Sequence, residues 1–463
     1  MTDQLVLHNS LNRQKEPFVP LVAGKVGLYV CGVTVYDLSH VGHARVMVVF
    51  DLLYRWLRHL GFEVAYVRNF TDVDDKIIRR ATERGIDCGE LTSEMIAAFH
   101  EDIDALGCLR PTVEPLATTH IDEMQALIAR LIERGHAYLA DSGDVLYAVR
   151  SFAPYGRLSG KNIDDLESGA RVEVDESKRD PLDFALWKRA KPGEPFWPSP
   201  WGNGRPGWHI ECSAMSCKHL GESFDIHGGG MDLKFPHHEN EIAQSVAAGD
   251  GQFARYWLHN GFVNINSEKM SKSLGNFFTL REVYGRYRPE VLRYFILATH
   301  YRSPLDYSDA ALDQARNSLD RIYTTKSRAA SHWQERHTPM NDWVDRFSAA
   351  MNDDLNTPEA LAVLFELVRE SNRLLDLGEE AAEPLTTLAW ACRLLGVAQM
   401  EPEAWFKGDE DADEAAAIEA LIAERTAAKK NRDFARADAI RAQLGEMGIV
   451  LEDSPSGTSW KRK

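Results

Sequence analysis

The run Val26-Gly27-Leu28-Tyr29-Val30 is short, β-branched and aromatic, and it predicts a buried strand. After a loop from Cys31 to Ser39, apolar residues recur at Val46, Val49, Phe50, Leu53 and Leu57. That is the spacing of one face of a helix beginning near Val41, and Gly61 supplies its stop. Glu63 to Val67 reads as a second strand. Strand, helix and strand within about 40 residues predict a parallel βαβ unit. The loop after Val30 then lies at the carboxyl end of a strand, where open α/β sheets bind ligands.

Charges and Gly/Pro punctuation such as Lys191-Pro192-Gly193-Glu194-Pro195 interrupt this theme between residues 111 and 206 and predict an inserted connective module. The sheet resumes at Phe224-Asp225-Ile226-His227, and three glycines follow. A helix is expected from about Pro236 to Ala248, with proline in its first turn. Beyond about Arg286 the pattern is almost wholly helical, and Asp409 to Glu419 reads as a linker or a solvated first helix. The expected class is α/β: a Rossmann-like parallel-sheet catalytic domain in two halves, residues 1–110 and 207–260, split by the insertion 111–206. A loop region 261–310, an α-helical bundle 311–405 and a small C-terminal domain 406–463 follow.

With 44% hydrophobic and 27% charged residues, the 463-residue chain has the composition of a well-packed globular protein. No apolar run approaches the roughly 18 residues that span a bilayer. The start, Met1-Thr2-Asp3-Gln4, has no basic block followed by an apolar one, so a cytoplasmic protein is expected. The six cysteines are scattered, which in such a chain favours free thiols or metal ligands over a disulfide scaffold. A net charge of −17 argues against indiscriminate binding of polyanions. Contact with RNA must rest on local clusters of lysine and arginine.

There is no G-x-x-x-x-G-K-[ST] loop and no G-x-S-x-G elbow, so P-loop and nucleophile-elbow enzymes are excluded. His40-Val41-Gly42-His43 instead sets two imidazoles three apart at a helix N-terminus, where backbone N–H groups and the dipole favour phosphate. Two histidines that merely cap the helix are the plain alternative. Lys269-Met270-Ser271-Lys272-Ser273 can wrap a polyphosphate and stabilise a departing pyrophosphate, although alone it reads equally as a solvated basic turn. Cys31 ends the first strand and Cys212 follows Gly207-Trp208-His209-Ile210-Glu211, while His237 and Glu241 are four apart on a helix. Two sulfurs, a nitrogen and an oxygen suit tetrahedral Zn2+, with Cys217 able to replace Cys212 and His238 to compete with His237.

In this order the histidine and lysine motifs resemble the paired signatures of class I aminoacyl-tRNA synthetases. Tyr29 to Asp37, Asn69 to Ile77, Gly207 to Met215, Asp225 to Gly230 and Phe235 to Glu241 resemble cysteinyl-tRNA synthetases in particular. The likeness runs through Asp183-Phe184-Ala185-Leu186-Trp187-Lys188 to Gly448-Ile449-Val450-Leu451-Glu452-Asp453, with mild swaps such as Val41. It implies one Zn2+ on Cys31, Cys212, His237 and Glu241. It further implies ATP handling with Mg2+ by His40, His43, Lys269 and Lys272, and an amino-acid pocket lined by Thr71, Trp208 and Asp232. His209 and His227 are expected as polar walls or as structural histidines. The implied partners are L-cysteine, ATP and tRNA(Cys), with no membrane, for a chain expected to be a monomer.

By the same likeness, region 261–310 would contact the RNA stem and 311–463 the rest of the RNA. Arg425, Lys429, Lys430, Arg432, Arg436 and Arg441 would track phosphates, and Trp460 would stack on an unpaired anticodon base. Two rival readings are a ligase joining cysteine to an amino-sugar, as in mycothiol biosynthesis, and a non-catalytic RNA-binding or zinc-structural relative. The basic C-terminal region argues against the first, and the intact histidine and lysine motifs against the second.

Overall fold

The computed structural model describes residues 4–163, 177–265, 268–269, 277–329, 333, 340–407, 412–454 and 457–462. Two compact units divide the chain. Residues 1–315, 340–364 and 394–396 form the first, and 316–339, 365–393 and 397–463 the second.

In the first unit, strands β1 (Lys25–Thr34), β2 (Glu63–Thr71), β3 (Ser223–Gly230) and β4 (Phe253–Asn260) form a parallel sheet in the order β4-β3-β1-β2. Helix α1 (Val41–His59) joins β1 to β2, α2 (Trp208–Leu220) precedes β3, and α3 (Glu239–Ala248) joins β3 to β4. The apolar face of α1 is buried through Val41, Ala44, Met47, Val48, Phe50, Leu53 and Leu57, as its spacing requires. Ring carbons of Phe50 press so closely on β3 that a Cβ on Gly228 would lie 2.2 Å from them. The glycines after His227 are therefore part of the strand and not a loop.

Two boundaries differ from the sequence expectation. Strand β1 continues past Val30 to Thr34, with a register shift against β2 between Val30 and Val33. Gly32 permits this, because a Cβ there would stand 1.5 Å from the carbonyl oxygen of Asn69. The helix expected from Pro236 becomes regular only at Glu239, since Phe235 is extended (φ −144°, ψ 133°). A residue preceding proline is driven out of the helical region by the ring that follows.

Residues 112–116 still run along the edge of the main sheet, where Arg68 and Phe70 donate their N–H groups to the carbonyls of Val113 and Pro115. Beyond them, Ala137–Leu139, Val145–Tyr147, Phe184–Arg189 and Gly204–Pro206 build an antiparallel four-stranded sheet.

The second unit is mainly helical. Its terminal part packs helices Ala412–Lys430 and Phe434–Glu446 against the hairpin Ile449–Ser454/Gly457–Arg462. Ile418, Ile422, Ile440, Leu444, Ile449 and Trp460 form its core. Trp460, expected to stack on a base, is only 4% exposed, and its Nε1 donates to Glu419 Oε1 at 2.8 Å. In this structure the indole closes the small core. Arg436 pairs with Glu424 at 2.7 Å, and Arg425 and Lys429 both bind Asp453. Lys430, Arg432 and Arg441 are exposed and have no ion-pair partner among the described residues.

Candidate active site and metal centre

A cleft of about 320 Å³ opens at the carboxyl ends of β1 and β3. Its lining includes Cys31, Gly32, Tyr36, His40, His43, Lys76, Trp208, Asp232 and the chain from Asn260 to Val263. His40 is the N-cap of α1, and its Nδ1 accepts from the N–H of Gly42 at 3.1 Å. The His43 Nδ1 accepts in turn from the N–H of His40 at 3.3 Å, and the two rings stack 3.7 Å apart. Helix capping and cleft lining are thus properties of the same pair. The local bonds fix each ring through Nδ1 at the positive end of α1.

Lys269 is described only as backbone at the end of the strand Glu268–Lys269, and Met270 to Ser273, Lys272 included, lie outside the described residues. The chain is described again from Phe277, where Val41 donates to the Phe278 carbonyl and Leu280 to that of Ser39. Backbone returning from the lysine motif is thereby bonded to the residues on either side of His40.

Cys31, Cys212, His237 and Glu241 bring one donor atom each within 4.8 Å of the others, all buried. The two Sγ atoms are 3.7 Å apart, Cys31 Sγ is 3.4 Å from Glu241 Oε1, and His237 Nε2 is 3.0 Å from that oxygen. Around a tetrahedral zinc with bonds of about 2.0–2.3 Å, the corresponding edges are roughly 3.8, 3.6 and 3.4 Å. The donors therefore fit the ion with shifts of a few tenths of an ångström. Burial would raise the Cys212 thiol, but the hydrogen bond from Cys31 and then His237 bring it to about 6. Burial would lower His237, and Glu241 with Cys212 lifts it to about 10. Zinc would be held by the deprotonated donors, the thiolates, a neutral His237 imidazole and the Glu241 carboxylate, so the proton on His237 would leave as the ion binds.

The sequence alternatives separate here. Cys217 lies outside the cluster. His238 belongs to a second set, Cys31, His227, His238 and Glu241, which also converges. Cys31, common to both sets, is their one member in the cleft lining, and Trp208, which also lines it, stacks on His237 of the first set at 4.3 Å. The first set thus reaches the cleft through the Trp208–His237 stack as well as through Cys31. Behind it, His209 Nδ1 meets His237 Nδ1 at 2.9 Å, and His227 Nε2 meets Glu241 Oε2 at 2.8 Å. These two histidines brace His237 and Glu241.

Thr71 is 3% exposed and gives its hydroxyl to buried Glu211 at 2.6 Å, one layer behind the cleft lining. Asp232 lines the cleft beside Gly230.

Two residues in the stretch Asn69 to Ile77 had no assigned role. Asn69 Oδ1 accepts from the N–H of Gly32 at 2.9 Å and from Cys212 Sγ at 3.6 Å, which ties the β1 bulge to the metal cluster. Lys76 stands over the Tyr36 ring at 5.5 Å in the cleft. Its acidic neighbours are engaged elsewhere: Asp72 with Thr118, Asp74 as a helix cap, Asp75 with Lys188 and Arg205. A basic residue directly after an acidic run was the available signal.

Residues 17–317 match the class I (C) catalytic domain of tRNA synthetases, 346–399 a DALR domain, and 411–460 the cysteinyl-tRNA ligase anticodon binding domain. The cysteine–tRNA ligase of Thioalkalivibrio sulfidiphilus is 60% identical over 99% of this chain and 100% of its own. That of Alkalilimnicola ehrlichii is 59% identical over the same shares. The chain belongs to the cysteine–tRNA ligases, of class I.

The fold of this cysteine–tRNA ligase agrees with solved synthetases. Mycobacterium tuberculosis methionyl-tRNA synthetase bound by methionyl-adenylate superimposes with a TM-score of 0.57 at 15% identity, covering 80% of this chain and 90% of that one. An Agrobacterium radiobacter K84 LeuRS, in a ternary complex with tRNA and LeuAMS, gives 0.60 at 11% identity, with 84% and 85% covered. Both are Rossmann-like neighbours. A cysteine–tRNA ligase matched along its whole length, terminal module included, leaves neither rival reading standing. No described helix is long and apolar enough to cross a membrane.

Proposed function

We propose that this chain activates L-cysteine with ATP and passes it to tRNA(Cys), with the cluster Cys31, Cys212, His237 and Glu241 selecting the amino acid through its sulfur. The single observation behind this reading is a cluster of four buried zinc-type donors, one of which, Cys31, lines the cleft that also holds the histidine motif.

The cysteine carboxylate attacks the α-phosphate of ATP, giving cysteinyl-adenylate and pyrophosphate. The 2′-hydroxyl of the 3′-terminal ribose then attacks the acyl carbon, forming the ester as the acyl–phosphate bond breaks and AMP leaves. Little covalent work falls to the protein, so rate comes from positioning and charge stabilisation. His40 and His43 hold the phosphates at the start of α1, and Lys269 and Lys272 take the charge of the departing pyrophosphate, with Mg2+ accompanying ATP. Trp208 and Asp232 flank the bound amino acid, and Thr71 supports that pocket from behind through Glu211. Bound zinc supplies a soft Lewis acid that favours a thiolate over a serine hydroxyl. Shape alone would separate such close analogues by only about 1–3 kcal/mol.

The test is cysteine-dependent pyrophosphate exchange with cysteine against serine, before and after chelation. Metal-free protein should lose both cysteine exchange and discrimination, and Lys272→Ala should slow adenylate formation while leaving cysteine binding nearly intact. Equal discrimination by the metal-free protein, or full zinc and full activity in Cys212→Ala, overturns the assignment.

A further inference from the structure

Arg45, two residues beyond the histidine motif on α1, is 1% exposed and has no carboxylate partner among the described residues. A buried guanidinium without a counter-ion is costly, and burial pulls this one down to about 10. Its fork is spent on backbone carbonyls. Nη1 donates to Phe262 O at 2.7 Å, and Nη2 to Tyr301 O at 3.1 Å and to Ser303 O.

Those carbonyls already serve a junction. The N–H of Gly261 donates to Tyr301 O and the N–H of Leu305 to Phe262 O, which joins residues 261–262 to 301–305. Immediately afterwards Val263–Ile265 pairs in parallel with Leu305–Tyr307, and from the first of these strands the chain continues to Glu268–Lys269, which pairs back on it. The junction is tight: a Cβ on Gly261 would stand 2.6 Å from Ser303 O and 2.7 Å from Arg302 O. Residues 260–263 face the cleft on one side and Arg45 lies behind them on the other.

We infer that Arg45 is a positioning residue for adenylate formation, which holds the Gly261–Val263 wall, and with it the base of the lysine motif, at a fixed distance from His40 and His43, and places an uncompensated positive charge behind the phosphate site. The inference rests on the ATP-binding reading given above. A neutral donor could satisfy one carbonyl. Three acceptors from two separate segments call for a guanidinium, whose donors are rigidly spaced.

The experiment is cysteine-dependent pyrophosphate exchange on the full-length zinc-loaded protein, for wild type, Arg45→Met and Arg45→Lys, alongside zinc content and thermal unfolding. A wall displaced by about 1 Å costs on the order of 100-fold in rate. Arg45→Met is therefore expected to lose about 100-fold in kcat, with KM for cysteine and zinc content within twofold of wild type. Arg45→Lys, which keeps the charge and one or two bonds, is expected to recover part of that rate. Wild-type kcat in Arg45→Met overturns the inference. So does a loss in Arg45→Lys as large as in Arg45→Met, with cysteine KM, zinc and melting temperature all worsening together, since that describes a packing residue only. Absence of cysteine-dependent exchange in wild type would instead overturn the reading of the site itself.

Discussion

His227 Nε2 lies 2.8 Å from Glu241 Oε2, and both side chains are fully buried. The opposite oxygen, Oε1, faces Cys31 and His237, so one carboxylate is braced on one side and offers a donor atom to the cluster on the other. Burial would push the Glu241 carboxyl up, and His227 with His237 holds it well below its usual range. Removing such an outer partner typically costs 10–100-fold in metal affinity. His227→Ala should therefore weaken zinc binding by about that factor in competition with a chromophoric chelator, with all four ligands unchanged. Affinity equal to wild type would show that Glu241 needs no brace.

A second buried pair sits away from the cleft. Arg293 Nη2 binds Asp51 Oδ2 at 2.5 Å, and the same guanidinium donates to the carbonyls of Leu395 and Leu106. Asp51 also accepts from the N–H of Leu109 and from Arg55 Nε. Asp51→Ala leaves Arg293 charged and buried without the carboxylate that hydrogen-bonds it, so about 3–5 kcal/mol of stability should be lost. Denaturant unfolding measures it. A loss below about 1 kcal/mol would mean that the carbonyls alone satisfy Arg293.

The βαβ start was legible because a helical period and a β-branched run can be read locally from α1 and the strand before it. Other choices are tertiary. Cys212 and Cys217 are five positions apart, so they leave α2 about 140° from each other. Which one meets Cys31 depends on how α2 packs on β1. Adjacent His237 and His238 precede the regular part of α3, so which of them meets Glu241 Oε1 is set by the irregular turn after Phe235 and not by helical spacing. The continuation of β1 through Gly32 depends on the Asn69 carbonyl, 37 residues away. Arg45 and Lys76 were passed over because nothing in the chain near a basic residue reveals whether its charge is cancelled once the chain folds.

Asp453 offers a test by pH. Its carboxyl receives two hydrogen bonds of 2.9 Å from Arg425, one of 2.8 Å from Lys429 and one of 2.7 Å from Thr458. Arg425 first, then Lys429 and Thr458, hold it far below the usual carboxylate range. Folding thus favours the ionised form, so this stabilisation is fully present above the unfolded value of about 3.9 and is lost as pH falls below it. Asp453→Asn should increase amide exchange across the terminal hairpin at neutral pH. The difference from wild type should shrink as pH drops below about 4. A gap independent of pH would assign the effect to packing.

The burial of Trp460 separates two roles that the sequence could not. A ring serving the RNA must offer a face to it, and this one is enclosed by Ile418, Ile422, Ile440, Leu444 and Ile449. Truncating a buried tryptophan to alanine costs about 3–5 kcal/mol, a large share of what so small a module can hold. Trp460→Ala should therefore abolish amide protection in the helix Phe434–Glu446 and weaken RNA binding along with it. Trp460→Phe keeps most of the apolar area and gives up the bond to Glu419, worth about 1 kcal/mol. It should retain both protection and RNA affinity within about threefold. RNA binding lost in Trp460→Phe with protection intact would return the indole to the RNA and remove it from the core.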